Sequence, residues 1–125
     1  MNPKFHDLVV THWGARFMGH TLPVSIGRSG IAEKVGEGDG ITPIGNFSIK
    51  NIGFRSDRIS FSSRNIVKIY TRLNDLWSDD PSDKYYNHKV YSHDYSFSHE
   101  KLRRPDGLYD AYGILDYNWP NAKPG

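Results

Sequence analysis

The sequence predicts a mainly β domain, and three observations carry that reading. Apolar residues recur in short runs rather than at helical spacing. Twelve glycines and seven prolines punctuate those runs, a density that suits strands joined by turns better than a helical bundle. Aromatic side chains are plentiful, with three Trp, eight Tyr and six Phe, so there is bulk for a packed interior and the composition is not that of a disordered chain. At 125 residues the length suits one domain, and 1–125 is read as such.

The elements follow in order. Phe5 to His12 reads as a first strand and Trp13 to Arg16 as the turn after it. Thr21 to Ile26 reads as the returning strand. Pro23 marks it as an edge or a strand start, because proline cannot donate to a ladder. Gly27 to Gly40 is a loop with glycines at 27, 30, 36, 38 and 40. A strand through Phe47, Ile49 and Ile52 opens after Pro43-Ile44-Gly45, and Ile66 to Tyr70 forms another. Asp79-Asp80-Pro81-Ser82-Asp83 is a turn cluster. The one helix expected runs from Ser98, its N-cap, to Arg104. Glu100 sits in its first turn, Arg103 and Arg104 near its end, and Pro105 and Gly107 stop it. Leu108 to Tyr117 reads as a last strand with apolar residues on both faces, as when both are covered.

Charge and composition exclude several classes. Sixteen Lys and Arg face fourteen Asp and Glu, for a net charge of +2. That balance is wrong for a polyanion-binding tail, so no nucleic-acid partner is expected. No apolar run is long enough to span a bilayer, and the N-terminal residues lack the apolar core of a signal peptide. With no cysteine, disulfides, thiolate-bound zinc and a thiol nucleophile are excluded within these residues.

The segment from Gly27 to Phe47 is the most distinctive. It fails as a phosphate cradle: it has neither the G-x-G-x-x-G register nor a Gly-Lys-Ser/Thr ending, and no helical pattern follows. Its Thr42-Pro43-Ile44-Gly45 element is turn chemistry, since Pro43 fixes φ and Gly45 permits positive φ into the next strand. Gly38, Gly40 and Gly45 are therefore expected to serve backbone geometry. His88, His93 and His99, with Asp94 and Glu100 beside two of them, carry two readings. Three imidazoles and a carboxylate could ligate zinc or iron, or these could be solvated loop residues, since no H-E-x-x-H or paired motif supports the first. Trp77, Tyr85, Tyr86, Tyr109, Tyr112, Tyr117 and Trp119 could stack on a glycan, but at least half are expected in the core or its rim.

Three blocks in series resemble the YkuD-type L,D-transpeptidase catalytic domain family. Gly27-Arg28-Ser29-Gly30 and then Glu37 to Phe47, with its Thr-Pro-x-Gly-x-Phe core, resemble the opening half of that domain. Leu76-Trp77-Ser78-Asp79-Asp80-Pro81-Ser82-Asp83-Lys84-Tyr85-Tyr86-Asn87 is similar to the Gly-Trp-Cys-Asp-x-Pro-x-Asp-x-x-Tyr-Asn block of one branch, with Ser78 in place of a non-nucleophilic Cys. Ser98-His99-Glu100, Leu108-Tyr109-Asp110 and Tyr117-Asn118 continue the resemblance in order, which spans roughly residues 20–125.

The resemblance implies a β-sandwich or barrel with one or two short helices, acting at the periplasm or cell envelope on a peptidoglycan stem peptide. In that chemistry a Cys thiolate, activated by His, attacks the carbonyl of a diaminopimelate–D-alanine bond. D-alanine leaves, a thioester forms, and an acceptor amine or water resolves it. No metal or organic cofactor is implied. The family's His and Ser/Thr-x-Gly-Cys segment follows the Tyr-Asn strand, so the domain is expected to be incomplete at its C-terminus, with no catalytic residue in this chain and no activity from it alone. The last strand would then present an unpaired edge and an exposed apolar face around Tyr112, Ile114 and Leu115. The substrate-binding residues it suggests are Asn87, His99, Glu100 and Tyr109. Two other readings stand beside it: a non-catalytic β module that binds cell-wall glycopeptide, and a metal-dependent hydrolase using the histidine window.

Overall fold

The computed structural model describes residues 2–62 and 65–123. Of the closing segment 121–125, Pro124 and Gly125 lie outside the described residues. The fold is mainly β, as the sequence predicts: eleven strands and no helix among the described residues. The strands form several small sheets, and none closes into a barrel. The chain divides into two compact units, Met1–Gly45 and Asn46–Gly125.

The first unit opens with an antiparallel meander of β1 (Val9–Thr11), β2 (Gly14–Phe17) and β3 (His20–Leu22). The strands are shorter than the sequence suggests. Lys4 to Asp7 closes a turn of its own, so pairing starts at Val9. The first hairpin turns at His12-Trp13, with the Thr11 hydroxyl donating to the Gly14 carbonyl at 3.0 Å, so most of the expected turn is strand. β4 (Ile31–Ala32) and β5 (Thr42–Pro43) then pair in parallel. Between them the glycine-rich loop is tightly bonded. Asp39 accepts from Lys34 Nζ at 2.6 Å and from the amides of Val35, Gly36 and Ile41. The Gly27 amide donates to Thr42 Oγ1 at 2.7 Å. Gly38, Gly40 and Gly45 have φ of 79°, 71° and 144°, which is the backbone role expected of them.

In the second unit, β6 (Ile49–Phe54) is central to a sheet ordered β11-β6-β7, with β7 at Val67–Tyr70 and β11 at Ala111–Leu115. β7 runs parallel to β6, which requires a crossover between them. β11 is antiparallel, with a register shift between Ile114 and Leu115. Tyr112 faces Gly53, and a Cβ there would lie 2.1 Å from the Tyr112 ring, so the ring occupies the space that glycine leaves. β11 is an edge strand, and its pattern corrects the expectation that apolar residues are exposed throughout. Ile114 is buried and Tyr112 half-buried, while Leu115 is turned out. The strand is also shorter than Leu108 to Tyr117, because a Gly107–Asp110 turn precedes it.

The second sheet is ordered β10-β8-β9, from β8 (Asp75–Ser78), β9 (Lys89–Tyr91) and β10 (His99–Lys101). β10 occupies the place of the expected helix, Ser98 to Arg104. Seven residues bounded by Pro105 are too few to sustain helix nucleation. Pairing with Leu76–Ser78 satisfies the same backbone groups and buries Leu102. Phe54, Leu76, Tyr86, Leu102 and Ile114 form the buried apolar set of this unit.

Candidate functional site

β8 organises the candidate site. It is the middle strand of its sheet, and each of its side chains has a cross-strand neighbour. Glu100 and Lys89 flank Trp77, and His99 lies opposite Ser78. Because side chains alternate, Trp77 and Glu100 share one face, while Ser78 and His99 share the other.

On the Ser78 face lies a buried polar cluster. The Ser78 hydroxyl is fully buried and donates to Asp83 Oδ2 at 2.7 Å. The Tyr95 hydroxyl donates to the same oxygen, and the Tyr85 amide donates to Asp83 Oδ1 at 3.0 Å. Burial alone would raise the Asp83 carboxyl, but these bonds outweigh it and hold the group below the ordinary carboxylate range. Burial, and then the bond to Asp83, push the Tyr95 phenol up to about 12. His99 joins edge-on, 5.9 Å from the Tyr95 ring, and its Nδ1 bonds the Phe97 carbonyl at 2.7 Å. A carbonyl oxygen only accepts, so Nδ1 carries the proton and in the neutral ring Nε2 keeps its lone pair.

On the Trp77 face, Asn87 is the joint. The indole Nε1 donates to Asn87 Oδ1 at 3.3 Å, and Asn87 Nδ2 donates to the Asn118 carbonyl at 2.6 Å. Asn118 in turn exchanges bonds with the backbone of Lys123. Asn87 has φ of 61° and Asn118 of 49°, a region asparagine tolerates better than most residues. Tyr109 sits within the Gly107–Asp110 turn. Burial, and then the charge of Glu100, raise its phenol above the ordinary value. Glu100 itself lies 3.8 Å from the Arg104 guanidinium.

Of the four residues singled out from sequence, Asn87 and Glu100 therefore gather around Trp77, with Tyr109 in the field of Glu100. His99 stands on the opposite face, with Ser78, Asp83 and Tyr95. Ser78, which stands in place of a non-nucleophilic Cys of the resembled block, is the buried centre of that cluster. Tyr95 was not singled out at all, for nothing around it in the sequence marks a partner twelve residues away.

A cleft of about 520 Å³ opens between residues of 81–88 and 120–122. Its walls include Pro81, Lys84, Tyr86, His88, Pro120 and Ala122. His88 Nδ1 donates to the Tyr86 carbonyl at 2.9 Å, and its ring lies 6.0 Å from that of Trp119. Asp83 also lines the cleft, with its oxygens taken by Ser78, Tyr95 and the Tyr85 amide. Among the described residues, no three His, Asp or Glu side chains assemble as metal ligands, so His88, His93 and His99 do not converge. Of the aromatic set, Tyr86 is buried, Tyr85 is exposed and the others are half-buried. No described helix is long and apolar enough to cross a membrane.

The chain matches no protein-family model, no curated protein and no solved structure.

Proposed function

We propose that the chain is part of an L,D-transpeptidase-type domain that handles peptidoglycan stem peptides at the cell envelope. The observation that carries this reading is the set of bonds around Asn87. The Leu76–Asn87 block, the Ser98-His99-Glu100 block and the Tyr117-Asn118 pair are spread over residues 76–118 of the sequence. They meet through the β8–β10 pairing and the Trp77–Asn87–Asn118 bonds. The later blocks that resemble one family's motifs thus meet around β8. The reaction needs a thiolate and these residues hold none, so the proposal assigns the nucleophile and its His to a segment beyond residue 125. This part of the domain would position the peptide.

The test is titration of the isotopically labelled chain with a tetrapeptide stem ending in diaminopimelate–D-alanine, followed by amide NMR. Shifts confined to the surroundings of Asn87, Glu100 and Tyr109 are expected. Spectra unchanged at millimolar peptide would contradict the reading. The absence of cysteine favours a second reading, a non-catalytic module that binds cell-wall glycopeptide, and binding without any acyl transfer by the full gene product would select it.

A further inference from the structure

The β1-β2-β3 meander of the first unit turns apolar side chains to solvent. Its register places Val10, Ala15 and Leu22 in one cross-strand row, and the pleat puts Phe17 on the same side as Ala15. Ala15 is buried, but Val10, Phe17 and Leu22 remain 38–43% exposed. Trp13, at the tip of the first hairpin, is 94% exposed. Phe5 reaches the turn at the other end of the meander, where a Cβ at Gly19 would lie 4.0 Å from its ring, and it too is exposed. Large apolar side chains grouped this closely on a surface mark an interaction site.

The charges of this segment are mostly of one sign. The first 32 residues carry Lys4, Arg16 and Arg28 against a single carboxylate, Asp7. Asp7 Oδ2 already accepts the Lys4 backbone amide at 2.8 Å, and the Lys4 and Arg16 side chains enter no ion pair among the described residues. Each exposed ring has a basic neighbour in sequence: Phe5 lies between Lys4 and His6, Trp13 follows His12, and Phe17 follows Arg16. Aromatic rings beside cationic side chains suit the boundary between acyl chains and headgroups. A second copy would bring the same cations and no spare carboxylate, so charge complementarity favours an anionic surface over self-pairing. We propose that the meander docks on an anionic lipid surface. Trp13 and Phe5 enter the interface from its two ends, and Val10, Phe17 and Leu22 face the acyl boundary. The field of the lipid phosphates acts on Lys4, beside Phe5, and on Arg16. The attachment is peripheral, with no segment crossing the bilayer.

The test is co-sedimentation of the full chain with two kinds of vesicle: equal parts phosphatidylglycerol and phosphatidylcholine, and phosphatidylcholine alone. The variants are Trp13→Ala, the double variant Lys4→Gln/Arg16→Gln, and Leu73→Ala. Leu73 is a 75% exposed apolar residue of the second unit and controls for general stickiness. All the substituted side chains are exposed, and a melting curve checks that each variant folds. The chain should sediment with the anionic vesicles far more than with the neutral ones, and high salt should release it. Trp13→Ala should weaken that binding about tenfold. The double variant should weaken it by about tenfold as well, and Leu73→Ala should leave it unchanged. Failure to sediment with the anionic vesicles would overturn the proposal. So would equal binding to both vesicle types, undiminished binding by Trp13→Ala, or an equal loss in Leu73→Ala. Self-association in sedimentation velocity that Trp13→Ala abolishes would assign the face to a second copy and overturn it too.

Discussion

Asn87 donates its side-chain amide to the backbone oxygen of Asn118 at 2.6 Å, across 31 residues of sequence. The same side chain accepts from the Trp77 indole, and its own backbone sits at φ of 61°. One residue thus fixes a loop, an indole and the segment after β11. Asn87→Ala should cost about 2 kcal/mol in urea unfolding, from two lost side-chain bonds and a left-handed backbone that alanine tolerates poorly. Asn87→Gly relieves the backbone and should cost less. Equal costs would mean that the side-chain bonds alone matter.

The Tyr112 ring fills the space above Gly53, where a Cβ would lie 2.1 Å from it. Gly53→Ala should destabilise by about 1–3 kcal/mol through overpacking. Tyr112→Ala should also destabilise, yet the double variant should lose less than the two costs added together. Strict additivity in thermal or urea unfolding would rule out the contact as the cause.

Asp83 serves two hydroxyls in a buried setting. Tyr95→Phe removes one donor and should cost about 1–3 kcal/mol, with Ser78→Ala in the same range. The Asp83 carboxyl is lowered in the folded chain, so its contribution is full above the unfolded value of 3.8 and is lost as pH falls through the folded one. Stability measured from pH 7 down to pH 2 should decline only below about pH 4 on this account, and Tyr95→Phe should blunt that decline.

Asp39 makes the same argument in the first unit. Lys34 first, and then the Ile41 amide, hold its carboxyl far below the ordinary 3.8. The folded value is depressed, so acid below about pH 4 should loosen the 34–41 loop. Asp39→Asn should leave those amides exchanging faster with solvent at pH 7, as hydrogen exchange would register. Unchanged protection would mean that the loop holds without the carboxylate.

Much of this was legible in the sequence, and what was not has physical causes. The strands at Ile49–Phe54 and Val67–Tyr70 and the positive φ at Gly45 follow from β-branched runs and Pro-x-Gly turn chemistry. β8 and β9 were hidden. Asp75-Leu76-Trp77-Ser78 begins and ends on buried polar residues whose partners, Arg72, Lys89 and Asp83, lie outside the strand. Local pattern scores them as loop. The stretch Ser98 to Arg104 carries good capping signals, yet pairing with β8 overrides them, as tertiary context does for short segments. Asn87, Glu100 and Tyr109 were chosen through a motif rather than through spacing. That His99 faces away from Asn87 and Glu100 depends on a register that only the fold reveals.

The proposed thiol acyl-transfer function requires a nucleophile beyond residue 125, since residues 1–125 hold no cysteine. Sequencing the encoding DNA past codon 125 tests it most directly. The account predicts an open reading frame that supplies a strand-borne His and then a Ser/Thr-x-Gly-Cys segment. A stop codon directly after codon 125, or a continuing frame without that cysteine, would contradict it.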